Sequence, residues 1–122
     1  MNKVQDKNMS NNRAAIQRAK EVLKIEAQSI LSLVDKINGN FTRAVNLIFQ
    51  CKGRVIITGI GKSGLIGRKI VATLTSTGTQ ALFLHPAEGI HGDLGIVTRE
   101  DILLAISNSG ETRELIPIIS SV

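Results

Sequence analysis

Three short polar segments carry the side chains whose types and spacing suit phosphate binding and acid–base chemistry. The first is Gly59-Ile60-Gly61-Lys62-Ser63-Gly64. It matches G-x-G-x-x-G, whose glycines let a backbone approach a phosphate while the following helix N-terminus supplies free N–H groups. A dinucleotide site would place an acidic residue after the second strand, where His85 stands, and a nucleotide-hydrolase loop would have glycine at Ile56. A tight strand-to-helix turn with a solvated Lys62 remains the alternative.

The second segment is Ser107-Asn108-Ser109-Gly110-Glu111-Thr112. Its three hydroxyls and several backbone N–H groups form a suitable cradle for a phosphate at the start of a helix. Ordinary N-capping by Ser109 and Thr112 is the alternative, although capping does not require all three hydroxyls. In an open α/β sheet both segments follow the carboxyl ends of strands, where ligands bind. Together they favour a phosphate site more than either does alone.

The third segment runs from His85 to Gly95 and holds two histidines, one glutamate and one aspartate. These groups suit proton transfer or metal binding. The six-residue spacing of His85 and His91 is not that of helical metal ligands, so we expect no native metal site. A polar loop in which Asp93 caps a turn remains the alternative. Glu111 and Glu114 interact favourably with a helix dipole, and only their closeness to the other segments makes either a candidate base.

Apolar periodicity predicts helices in the first part of the chain. Apolar side chains recur at three- and four-residue spacing from about Asn12 to Ile37, which predicts one long amphipathic helix. Asn40 is the predicted cap of a second helix, which closes at Gly53. Residues 1–12 are polar, and we expect a disordered tail there.

The remainder of the chain alternates strands with helices. The predicted elements are a strand at 55–58, a helix at 64–77, strands at 81–84 and 102–106, and a last helix from about 112 that still runs at 122. The first strand is β-branched and apolar throughout, which is typical of a strand buried on both faces. Helices between strands imply right-handed crossovers and a parallel sheet. The predicted fold class is therefore α/β, with a parallel sheet and flanking helices after an N-terminal helical section.

Composition disfavours several kinds of partner. The net charge of +5 comes from residues 1–53, with nine Lys/Arg and four Asp/Glu, while residues 54–122 have six of each. The chain has no Trp, no Tyr and only three Phe for stacking on bases, so we expect no nucleic-acid partner. No apolar run approaches the roughly 20 residues that span a bilayer, so no membrane partner is expected. The single cysteine and the lack of a signal-like apolar segment at the start predict a cytoplasmic location.

Five blocks of the sequence resemble the sugar isomerase (SIS) domain of arabinose-5-phosphate isomerases. They are Gly61-Lys62-Ser63-Gly64, Ser76-Thr77-Gly78-Thr79, His85-Pro86 with Glu88, His91-Gly92-Asp93-Leu94-Gly95, and Ser107-Asn108-Ser109-Gly110-Glu111 with Glu114. The resemblance runs from about Gly53 to Val122 and implies a flavodoxin-like three-layer sandwich. It also implies interconversion of ribulose 5-phosphate and arabinose 5-phosphate, the entry to the Kdo sugar of lipopolysaccharide, by a cytoplasmic homotetramer without a cofactor.

The resemblance implies a role for nine residues. By matching position, Lys62, Glu114 and His91 are the implied catalytic residues. The implied substrate-binding residues are Gly61, Ser63, Ser107, Ser109, Thr112 and His85. Within these sets, Lys62 is expected to stabilise the carbonyl or oxyanion and Glu114 to transfer the proton.

The chain also departs from the family. Its members use a Glu and a His beyond the equivalent of Val122, together with further strands, and many add a pair of CBS modules. We therefore expect a disordered tail at 1–12, N-terminal helices at 13–53, and at 54–122 an SIS domain truncated at its C-terminus and inactive by itself. The alternative function is a non-catalytic module that binds a sugar phosphate and signals its presence. A DNA-binding regulator is disfavoured because one long and one short helix match a helix-turn-helix poorly.

Overall fold

The structure, a computed structural model, describes residues 3–90 and 93–121. It divides into two compact units, Met1–Thr42 and Arg43–Val122. Helix α2 contributes residues to both units, and the sheet lies entirely in the second.

The N-terminal unit is helical, as the periodicity predicts, but its boundaries differ from the prediction. Helix α1 (Lys3–Leu31) extends over residues expected to form a polar tail, because Lys and Gln continue a helix readily. It ends before Ile37, and a short 3-10 turn follows at Val34–Lys36. Among the described helices, none combines the length and the apolar character needed to cross a bilayer.

Helix α2 (Gly39–Gln50) begins and ends earlier than expected. The side chain of Asn38 caps it, since Asn38 Oδ1 accepts a hydrogen bond from the backbone N–H of Asn40 at 2.9 Å. The prediction that Asn40 is the cap was therefore wrong. The helix also stops at Gln50, short of the glycine at position 53.

The second unit is built on a parallel three-stranded sheet, which confirms the predicted class. Its strands are β1 (Val55–Gly59), β2 (Ala81–Phe83) and β3 (Ile102–Ile106), in the order β2-β1-β3. Ile56 pairs with Leu82 on one side and with Leu103 on the other. Strand β1 is therefore central, and all five of its residues are buried, as its continuous apolar sequence predicts.

Helices cover both faces of this sheet. Helix α3 (Lys62–Ser76) packs closely on one face, where a Cβ added to Gly67 would lie only 3.0 Å from the Phe83 ring and 3.1 Å from Ile57. Because successive strand residues point to opposite faces, Ile56 lies on the other face. There it forms the buried core with Leu84 and Ile118.

The second face contains elements that the sequence did not reveal. Helix α4 (Pro86–Ile90) and a 3-10 turn (Asp93–Ile96) occupy part of the segment predicted to be a loop. The predicted last helix is split into a 3-10 turn (Arg113–Leu115) and helix α5 (Ile116–Ser121). Proline suits the first turn of a helix, where its missing N–H has no intrahelical partner to lose, which accounts for the starts of α4 and α5.

Candidate functional site

The loop between β1 and α3 is shaped by glycines with different tasks. Gly61 has a positive φ of 57°, and a Cβ added to it would meet nothing within 4 Å. A Cβ on Gly64, in contrast, would lie 2.7 Å from the carbonyl oxygen of Gly59. Gly59 and Gly64 therefore allow α3 to pack against β1, while Gly61 makes the turn and leaves its backbone open to a ligand.

Helix α3 begins directly after this loop, and its first N–H groups have no partners within the helix. The first backbone hydrogen bonds at this end run from Gly64 N to Ile60 O and from Leu65 N to Gly61 O, at 3.4 and 3.1 Å. The earlier N–H groups are those that a helix leaves without intrahelical partners, and the helix dipole adds partial positive charge there. Lys62 is exposed and Ser63 is half-buried at this end. The arrangement favours an anion.

The loop after β3 folds onto its own hydroxyl groups. Ser107 Oγ lies 2.7 Å from Thr112 Oγ1 and accepts a hydrogen bond from Gly110 N at 3.0 Å. Ser109 Oγ accepts from Glu111 N at 3.2 Å. Gly110 has a φ of 73°, a conformation that favours glycine. The loop is thus held in shape by the same side chains that the sequence nominates for phosphate.

The Ser107–Thr112 hydrogen bond limits what the pair can donate. Each hydroxyl has one proton, so the shared bond uses one and leaves one for a ligand. Thr112 precedes the 3-10 turn Arg113–Leu115 but makes no side-chain cap hydrogen bond. Capping by Thr112, one of the alternatives for this segment, was therefore wrong. Ser109 does satisfy a local backbone N–H, as a capping side chain would.

The two loops meet in one cleft of about 590 Å³. Its lining residues are Lys62, Ser63, Ile66, Ile106, Ser107 and Asn108. The lining therefore combines a lysine, two serines and an asparagine with two isoleucines. Such a cleft can bind a phosphate group at its polar residues and accommodate a small carbon chain against its apolar ones.

Of the other predicted residues that the structure describes, none lines this cleft. His85 follows β2 and is half-buried, and its Nδ1 accepts a hydrogen bond from Ala87 N at 3.2 Å, which fixes the start of α4. The ring hydrogen of neutral His85 is therefore on Nε2. Glu114 is exposed in the 3-10 turn, and Ser109 is exposed in its loop. His91 lies outside the described residues.

Comparison with known proteins assigns the fold. The family model of the SIS domain matches residues 47–122. The chain belongs to the SIS domain family. The matched residues include both loops and all six residues of the cleft.

Curated relatives of this SIS domain confirm the resemblance that the five blocks indicated. An arabinose 5-phosphate isomerase of Yersinia pestis is 53% identical over 103 residues, which make up 84% of this chain and 31% of that protein. One from Pseudomonas aeruginosa is 46% identical over 112 residues, 92% of this chain and 34% of that protein. The chain thus spans about a third of the length of these relatives.

A solved structure shows a similar fold. The Escherichia coli CFT073 protein c3406, in complex with arabinose 5-phosphate, superposes with a TM-score of 0.81 at 36% sequence identity. The match covers 99% of this chain and 60% of that one.

Sequence reasoning missed three residues that line the cleft of this SIS domain. Asn108 stands between two nominated serines, and its position within the motif was the available signal. Ile66 lies one helical turn after Lys62, and Ile106 is the last residue of β3. Their apolar side chains look like ordinary core positions in the sequence. Only the packing of α3 beside β3 shows that they border the cleft.

Proposed function

We propose that the protein carrying this SIS domain interconverts D-ribulose 5-phosphate and D-arabinose 5-phosphate, the entry step to Kdo and lipopolysaccharide. The observation that supports the proposal is the cleft that Lys62, Ser63 and Ser107 line together. The names of the curated relatives and the arabinose 5-phosphate complex of the E. coli protein support the choice of sugar.

The proposed grip on the phosphate combines hydroxyls with a helix end. Ser63 and Ser107 donate directly, while Thr112 is bonded to Ser107 and Ser109 shapes the same loop. Gly61 lets the ligand approach the backbone, and the positive end of α3 favours the anion. Neutral hydroxyls and N–H groups can hold a phosphate without cancelling the charge of Lys62.

The proposed chemistry moves a proton between C1 and C2 through an enediolate. A base, a stabiliser of the developing oxyanion and a group that opens the sugar ring are required. We assign oxyanion stabilisation to Lys62, which lines the cleft, and proton transfer to Glu114, two residues beyond Thr112. His91 and His85 are assigned to the sugar end, where His85 retains an Nε2–H for a hydroxyl.

The rival function is a regulatory module that binds the sugar phosphate without converting it. Simple binding needs the hydroxyl cradle but not an ionisable lysine beside it. Lys62 in the cleft therefore favours the enzyme.

Replacing Lys62 tests the proposal. In the full chain, Lys62→Ala should lower the turnover of arabinose 5-phosphate by about 10²–10³-fold, the scale of losing one oxyanion-stabilising group. Binding of arabinose 5-phosphate, measured by calorimetry, should survive. Lys69→Ala is the matched control, because Lys69 is also an exposed lysine of α3 but does not line the cleft.

Each outcome separates the two functions. Unchanged turnover in Lys62→Ala would remove the assigned role of that lysine. A parent protein that binds arabinose 5-phosphate tightly yet never converts it would favour the regulatory module. We further propose a cytoplasmic homotetramer, which light scattering of the purified full chain would test by its mass.

A further inference from the structure

The end of the sheet opposite the cleft holds an ion pair whose carboxylate is buried. Arg54 stands directly before β1 and Asp101 directly before β3. Asp101 Oδ2 lies 3.0 Å from the Arg54 guanidinium, and Asp101 Oδ1 accepts from Arg54 N at 2.6 Å. The Asp101 side chain is only 1% exposed and that of Arg54 is 33% exposed. The pair therefore fastens the starts of two neighbouring strands.

Both partners also hold the segment that leads into β3. The guanidinium of Arg54 donates to the carbonyl oxygen of Ile96, the last residue of the 3-10 turn. Asp101 Oδ2 accepts from Thr98 N at 2.8 Å. Two successive points of the segment from Asp93 to Thr98 are thus tied to one ion pair.

This segment is linked through α4 to His85, which we assign to the sugar end of the site. The 3-10 turn Asp93–Ile96 contacts α4, and α4 begins at the backbone that His85 caps. Leu94 and Val97 pack against the buried core on the same face. A shift of Ile96 would therefore be transmitted through the turn and α4 to His85.

We propose that Arg54 and Asp101 are positioning residues of the sugar-phosphate site, acting through the segment from Asp93 to Thr98 and α4. The inference rests on the proposed function, because it names residues that shape the site without touching the substrate. Neither residue belongs to any of the motifs that suggest the activity. Their effect is on the placement of His85 at the sugar end, so it appears in KM more than in kcat.

The shape of the guanidinium, rather than its charge, carries this role. The planar fork of Arg54 reaches Asp101 and Ile96 at once, through Nε and a terminal nitrogen. A lysine can keep the charge beside Asp101, but its single ammonium cannot reproduce that fork. Arg54→Lys therefore weakens the hold on Ile96 while leaving the buried carboxylate with a cation.

The experiment compares the parent full chain with Arg54→Lys and with Arg99→Lys. Arg99 is an exposed arginine of the same connection, so Arg99→Lys is a matched control. Hydrogen exchange is read at Val97 N, which donates to Leu94 O, and at Thr98 N, which donates to Asp101. In Arg54→Lys we expect exchange at both amides to quicken about tenfold, and KM for arabinose 5-phosphate to rise at least about threefold with kcat within about twofold. Arg99→Lys should change none of these.

Two results would overturn the inference: unchanged exchange in a folded Arg54→Lys, or faster exchange with an unchanged KM. Should Arg54→Lys fail to fold, the parent alone decides. Coupling is reciprocal, so saturating arabinose 5-phosphate must slow exchange at Val97 and Thr98, and no slowing would refute the link. A parent that neither binds nor converts arabinose 5-phosphate defeats the proposed function, while exchange in Arg54→Lys still decides whether the pair holds the segment.

Discussion

The two ends of the parallel sheet treat their polar groups in opposite ways. At the carboxyl ends of β1 and β3, Lys62 is exposed and the hydroxyls of Ser107 and Thr112 are bonded to each other beside an open cleft. At the amino ends, Asp101 is buried and receives hydrogen bonds from Arg54 and Thr98. The carboxyl end thus keeps hydrogen-bond donors accessible to a ligand, whereas the donors at the amino end form hydrogen bonds within the protein.

This difference separates a closely packed end of the sheet from an end that is open to a ligand. At the amino end, even Gly53 is fixed by its surroundings, since an added Cβ would lie 2.5 Å from Asp101 Oδ1. At the carboxyl end, Gly61 and Gly110 have open space around them. The space around Gly61 and Gly110 is therefore open at the end where a ligand can bind, whereas the space around Gly53 at the amino end is filled.

The largest expected effect on stability comes from disrupting the Arg54–Asp101 ion pair at the amino end of the sheet. Asp101→Asn removes the charge from a buried carboxylate that faces Arg54, and should lower the free energy of unfolding by about 2–3 kcal/mol. Urea unfolding of the parent and the variant measures this difference. Glu100→Gln is the control, because Glu100 is an exposed neighbouring carboxylate, and its loss should change stability little. Equal effects of the two substitutions would mean that the Arg54–Asp101 pair stabilises the fold no more than an exposed carboxylate does.

The same variant should show a defined pH dependence. Burial alone would raise the pKa of Asp101, but hydrogen bonds from the Arg54 side chain and from backbone N–H groups outweigh burial and hold it well below its ordinary range. A pKa lowered by folding stabilises the protein above the unfolded-state value of about 3.9, and this stabilisation is lost as the pH falls toward the folded-state value. The stability gap between parent and Asp101→Asn should be constant above about pH 5 and narrow below about pH 4. A gap that widens in acid would contradict this assignment.

The next largest effect concerns ligand binding at the carboxyl end, where the hydroxyls of Ser107 and Thr112 are hydrogen-bonded to each other. Ser107 lines the cleft and Thr112 does not, so Thr112 should act on the phosphate through Ser107. Ser107→Ala should weaken arabinose 5-phosphate binding about tenfold and Thr112→Val about twofold to threefold. In a Ser107→Ala background, Thr112→Val should add nothing. Ser63→Ala with Thr112→Val is the control pair, whose losses should add. Additive losses for Ser107 and Thr112 would mean that Thr112 contacts the ligand itself.

Local sequence patterns predicted the carboxyl end far better than the amino end. The β-branched run at 55–58 and the glycines after it define a buried strand and a turn without help from the rest of the chain. Parallel topology then requires the loops after β1 and β3 to share an edge, so the meeting of Lys62 with Ser107 could be foreseen. The Arg54–Asp101 pair joins residues 47 positions apart, and no local pattern announces such a pair.

Two further features, the role of the Thr112 hydroxyl and the presence of helix α4, could not be decided from the local sequence. The hydroxyl of Thr112 suits a helix cap and suits a partner for Ser107, and propensity cannot choose between them. Helix α4 was missed because its five residues are too few to show a period. A hydrogen bond within the loop gives the Thr112 hydroxyl to Ser107, while α4 packs against α5 and the 3-10 turn Asp93–Ile96.

The smallest expected effect concerns the central strand between the two ends. Thr58 is fully buried in β1, and its Oγ1 has no hydrogen-bond partner among the residues that the structure describes. A buried hydroxyl without a partner costs free energy, and valine has nearly the same shape without that cost. Thr58→Val should therefore raise the free energy of unfolding by up to about 1 kcal/mol. The matched control is Thr73→Val in α3, since the Thr73 hydroxyl is exposed and already donates to Lys69 O, so no gain is expected. If Thr58→Val were destabilising, its hydroxyl would have to be paired in the folded protein, and the core beneath the cleft would then be as fully satisfied as the amino end.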